Sequence, residues 1–125
     1  MEWRQGSMQD FQVTLCKLAV RDERYIAGLL QEDRASPTLA GLDDRSHALI
    51  RISALITLNA APVAYMDSVN AALRAGASHE EIVGALIAVL PTVGVARVVT
   101  AAPSLGLALG YDVADALEFV ENGSS

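Results

Sequence analysis

Apolar residues along this chain recur at helical spacing, and nowhere do they alternate with polar residues as a half-buried strand requires. Over residues 10–30, Phe11, Leu15, Leu18 and Ala19 share one face, then Tyr25, Ile26, Leu29 and Leu30 share another. The charged run Arg21-Asp22-Glu23-Arg24 marks a joint between two helices. The pattern dissolves over residues 31–41, where Ser36-Pro37 and Gly41 predict a loop. Asp43 then stands where an N-cap belongs, opening a helix to about Leu58. In that helix Asp43, His47 and Arg51 form a polar stripe beside Leu49, Ile52 and Ile56.

Residues 59–61 end this helix, and Pro62 suits the first turn of the next. There Val63, Met66, Val69 and Leu73 make an apolar stripe opposite Asp67, Asn70 and Arg74, closed by Gly76 as a left-handed cap. Ser78-His79-Glu80-Glu81 is a capping box, and the helix it starts is apolar nearly all round from Ile82 to Leu90. Pro91 is expected to kink or end that helix, with Gly94 allowing a turn. A further helix begins near Val95, with a bend expected at Pro103 and an end at Gly110. Asp112 caps a last helix through about Val120. Residues 1–9 and 121–125 are expected to be flexible. The predicted fold is all-α, a bundle of about six to seven helices, without an internal repeat.

At 125 residues the chain is read as a single domain over 1–125, long enough for one real core. Apolar residues reach 52% but aromatics only 5%, so the core must be built from Ala, Val, Leu and Ile. Small side chains of this kind suit helices packed closely on helices. A net charge of -6 supplies no basic stripe for a phosphate backbone, so no nucleic-acid partner is expected. The run from residue 82 to 96 is too short and too interrupted for a comfortable membrane span, so no membrane partner is expected either. One cysteine, Cys16, can form no internal disulfide and no four-cysteine zinc site, which points to a reducing, cytoplasmic setting. The first seven residues carry no signal-peptide pattern and read as a partial cloning remnant.

The order of these signals carries a resemblance. LDDRSHALIRISALI followed by AALRAGASHEEIVGALIAVLPTVGVAR resembles the carboxymuconolactone decarboxylase family, which includes AhpD-like peroxidases. The shared elements are Leu42-Asp43 with Arg45, the capped turn within residues 71–82, and Gly94 with Arg97. They cover about half the chain. The resemblance implies an AhpD-like helical bundle that forms a homo-oligomer, a trimer or a hexamer. Redox members carry a Cys-x-x-Cys pair and a histidine after the bend, and a glutamate one helix earlier. Here those positions hold Ala61, Ala64, Ser68 and either Ala48 or Leu49, none of which can attack a peroxide or relay its proton.

Candidate chemistry is therefore sought among the other polar residues near the bend. Tyr65, Asp67 and Ser68 are the candidate catalytic residues, with Tyr65 placed to orient or protonate a ligand. Arg97, Arg51 and Asn70 are the candidate substrate-binding residues. Arg97 is the only ionised side chain from residue 82 to 109, suited either to a bidentate grip on a carboxylate or to a salt bridge. His47 and His79 are read as solvent-facing, and no cofactor or metal is expected. Three functions stand at this point. One is a non-redox lyase or isomerase acting on a small organic acid or lactone through an anion-binding pocket. Another is a non-catalytic binding or scaffold protein on the same fold, and the last is an AhpD-like peroxidase, which the residues oppose.

Overall fold

The computed structural model describes residues 10–31 and 37–123, with the side chains of residues 38 and 121–123 outside that description. Every regular element among these residues is helical: α1 (Asp10–Ala19), α2 (Glu23–Leu30), α3 (Pro37–Ala40), α4 (Asp44–Leu58), α5 (Pro62–Arg74), α6 (His79–Val93), α7 (Val95–Ala108) and α8 (Val113–Gly123). The cloning remnant and flexible segment expected within 1–9, and residues 124–125 of the segment expected at 121–125, lie outside the described residues, while α8 runs on through 121–123, past the end expected near Val120. Two compact units divide the chain, Met1–Gly41 and Leu42–Ser125.

In the first unit, the joint read from the charged cluster is real. Arg21 takes a left-handed conformation (φ 55°), and the Asp22 carboxylate caps α2 by accepting from the Tyr25 amide at 3.1 Å. The Lys17 ammonium lies 5.1 Å from the centre of the Tyr25 ring, a cation–π contact between α1 and α2. Neither helix buries a residue. Of the loop expected over 31–41, residues 32–36 lie outside the described residues, and Pro37–Ala40 forms a helical turn. Proline at a first helical position is already at the right φ and lacks only an amide that would go unpaired anyway.

In the second unit, Asp43 caps α4: one carboxylate oxygen accepts from the Ser46 amide at 2.7 Å and the other from the Ser46 hydroxyl at 2.9 Å. The helix stops at Asn59, which is left-handed (φ 54°). The Ala60 amide then donates to the Leu55 carbonyl at 3.0 Å, and Pro62 opens α5. A left-handed asparagine and a proline thus make the bend without any reactive side chain. Gly76 closes α5 with φ 93°. The capping box forms in full: the Ser78 hydroxyl accepts from the Glu81 amide at 3.0 Å, and the Glu81 carboxylate accepts from the Ser78 amide at 2.9 Å.

Pro91 neither ends α6 nor does Pro103 end α7; both helices run through. Each proline leaves one carbonyl without its usual donor, that of Ile87 or Val99, and all four residues lie on exposed faces where water can replace the bond. The stop is Gly94 (φ 92°, ψ 162°), which is both the last cap of α6 and the first of α7. Helices α4 to α7 enclose the core. Ile52, Ile56, Tyr65, Val69, Ile82 and Leu105 are fully buried, with Ala48, Ala72, Ala77, Ala85 and Ala101 packed among them. Burying each large side chain stabilises the fold by about 1.5–3 kcal/mol. Helix α8 adds to α7 at Gly106, where a Cβ would stand only 2.9 Å from Val113 Cγ2.

Candidate functional site

Helix geometry decides how the candidates near the bend are arranged. At 3.6 residues per turn, Tyr65 and Asp67 point roughly 160° apart around α5. Tyr65, Val69 and Ala72 form the buried face, while Asp67 and Asn70 are exposed and Ser68 is half-buried between them. Residues two apart on a helix cannot face one another. Tyr65 and Asp67 therefore do not meet at one reacting atom, and Ser68, three residues after Tyr65, lies about 60° from it around the helix.

Tyr65 is 1% exposed, far more deeply placed than a half-buried tyrosine, and its hydroxyl has no hydrogen-bond partner among the described residues. Burial pushes its phenol above the usual tyrosine range of about 10. Arg97 lies in the first turn of α7 and is exposed. Water already solvates this charge, so no anion is needed to offset its burial. Arg51 is half-buried on α4, whose Asp43 uses its carboxylate on Ser46 and not on the stripe. Although α5 packs on α7, Tyr65 ends inside the core and Arg97 outside it.

A real concavity lies elsewhere, between α4 and α6. It is an open groove of about 320 Å³ lined by Leu49, Ile50, Ser53, Glu81, Gly84, Ala85 and Ala88, and by none of the six candidates. Gly84, Ala85 and Ala88 make its α6 wall because they are too short to fill the space between the helices. At one end stands Glu81, held by the Ser78 amide and 3.5 Å from the Arg45 guanidinium. The Ser78 bond, followed by Arg45, keeps the Glu81 carboxyl below the usual glutamate range. The Arg45–Glu81 pair is half-exposed, so it contributes little stability but joins the starts of α4 and α6.

Sequence reading missed this groove and this pair. The available signal was that Arg45 and Glu81 belong to the two most specific stretches of the chain, which is a reason to ask whether they meet. Cys16 is half-buried in the first unit. Among the described residues, no three His, Cys, Asp or Glu side chains are grouped to hold a metal, and no helix is long and apolar enough to cross a membrane. Compared with protein-family models, curated proteins and solved structures, the chain gives no match.

Proposed function

We propose that this chain is a self-associating helical subunit of the carboxymuconolactone decarboxylase-like kind, acting as a binding or scaffold protein in the cytoplasm without thiol redox chemistry. The observation that carries the reading is an unpartnered apolar stripe. Val83, Ile87 and Leu90 follow one another at i, i+4 and i+7 on the outer face of α6, and Val95 and Val99 are similarly exposed on α7. At 36–69% exposure these five residues equal nearly three fully exposed apolar side chains. Burying them against a second copy is worth about 4–8 kcal/mol before the cost of association.

The lyase reading needs Tyr65, Asp67 and Ser68 to converge with Arg97, Arg51 and Asn70 on a small organic acid, and their spread around α5 weighs against it. A peroxidase would have to work with Cys16 as its one thiol.

Light scattering at micromolar concentration tests the proposal. Wild type should have a mass that is a multiple of 13.2 kDa, a trimer or hexamer by the resemblance, and Ile87→Glu should be a helical monomer. Because each chain carries a charge of -6, added salt should favour assembly by screening repulsion between copies. A wild-type monomer would overturn the reading. So would turnover of an organic acid that Arg97→Gln abolishes without changing the mass.

A further inference from the structure

The polar atoms that line the α4–α6 groove have one property in common. Ser53 donates its hydroxyl proton to the Leu49 carbonyl at 2.9 Å, so its oxygen can offer the groove only lone pairs. Glu81 is a carboxylate with one oxygen accepting from Ser78 and the other opposite a half-exposed Arg45. An ionised carboxylate offers about four acceptor positions, so two partners leave room for a third. Every polar side chain lining the groove therefore accepts, and none has a proton to give. All the other lining residues, Leu49, Ile50, Gly84, Ala85 and Ala88, present hydrocarbon or bare backbone.

We propose that this groove is a binding site for a small organic cation, a compact apolar body ending in a protonated amine, with the amine on Glu81 and the body over Gly84, Ala85 and Ala88. A groove of about 320 Å³ is at the small end of the range that takes metabolite-sized ligands, which limits the body to roughly a single ring. Charge complementarity sets the choice: an organic acid would meet a carboxylate and a hydroxyl already used as donor, and a neutral apolar molecule would leave Glu81 unused. Incoming ammonium competes with Arg45 for one carboxylate oxygen, and that pair is weak enough to be displaced. This inference is independent of the assembly reading.

The probe is 2-phenylethylamine, compared with 2-phenylethanol and phenylacetate, in an amide-resolved NMR titration of the full chain at low salt. Expected is saturable movement of the amides of Leu49, Ile50, Ser53, Gly84 and Ala88, with the amine bound roughly two- to fivefold tighter than the alcohol, the range of an exposed ion pair. That preference should shrink with added salt. Glu81→Gln keeps the capping box, because glutamine serves at the same position, and should make amine and alcohol bind alike. Gly84→Met fills the groove from a position where a Cβ meets nothing within 4 Å, and should abolish binding of both with helicity retained. Absence of saturable movement with the amine overturns the proposal, as does equal or tighter binding of phenylacetate. Groove amides that respond to protein concentration and not to the amine would overturn it too, by showing a second copy in the groove.

Discussion

Replacing Tyr65 by phenylalanine should make this protein more stable, which is the opposite of what a catalytic or ligand-orienting tyrosine would show. The side chain is 1% exposed and its hydroxyl is unpartnered among the described residues, so folding takes that group out of water with nothing in return. An unsatisfied buried hydroxyl costs about 1–3 kcal/mol. Removing the oxygen leaves a void of roughly 15 Å³, which at about 24 cal/mol per Å³ costs about 0.4 kcal/mol. The net gain is about 0.6–2.6 kcal/mol, or about 2–10 °C in Tm for a chain of this length. Urea and thermal denaturation of both proteins measure it directly. Alkaline pH gives a second readout with a fixed sign. Burial raises the folded-state value of Tyr65 above its unfolded value of 10.0, so the folded state holds the proton more tightly. Stability is then full below pH 10 and falls as pH rises toward the raised value, and Tyr65→Phe should lose that part of the decline. A destabilisation of 1 kcal/mol or more in Tyr65→Phe would refute the reasoning, because it would mean that the hydroxyl has a partner in solution.

Two glycines should respond to the same substitution with opposite signs. Gly84→Ala should stabilise by about 1 kcal/mol, since it lies inside α6 with open space at its Cβ, whereas Gly106→Ala should destabilise by about 1–2 kcal/mol through its clash with Val113 Cγ2 and the Tyr111 carbonyl. Chemical denaturation of the two variants checks both. Asp43 and Glu81 are held below their usual carboxyl values by the Ser46 and Ser78 amides, so their contribution is present above pH 4.5 and should be lost as pH falls through the depressed values. An acid titration followed by circular dichroism should show this decline flattened in the double variant Asp43→Asn, Glu81→Gln. Cys16→Ser should leave hydroperoxide turnover with a dithiol reductant at the background level of wild type, and turnover that depends on Cys16 would refute the non-redox reading.

Local signals in the sequence placed most helix ends correctly because those ends are local chemistry. Asp43, Asn59, Gly76, Ser78 with Glu81, Gly94, Gly110 and Asp112 each act within a few residues of their own position, so a one-dimensional pattern contains them. Pro91 does not end α6, the outcome the sequence left open beside a kink, because the cost of a proline depends on whether the freed carbonyl faces water, and that is a property of the packed helix. The exposure of Arg97 was illegible for a related reason. In a stretch apolar on every side, periodicity gives no phase, and the exposed face of α7 cannot be told from the buried one. Tyr65 and Asp67 were grouped by nearness in sequence, while helix rotation separates them. The groove depends on α4 lying against α6, a contact between residues more than thirty positions apart, and no spacing rule encodes it.

Gly94 joins α6 to α7 with a single residue and no side chain, and both helix ends that meet there are weakly held. On one side Pro91 has removed a hydrogen bond from the last turn of α6. On the other, the first amides of α7 have no side-chain cap, and the first turn carries Arg97 and no acid, the wrong charge for the positive end of a helix. Residues 94–97 are all exposed. In amide hydrogen exchange, this corner should therefore open independently of the helices it connects. The few residues around Gly94 would exchange fast between slowly exchanging turns at Ala85–Leu86 and Ala101–Leu105. Mechanically, the softness is confined to the corner itself, because α7 beyond it is held against α5 and α6 by the buried Ala101 and Leu105.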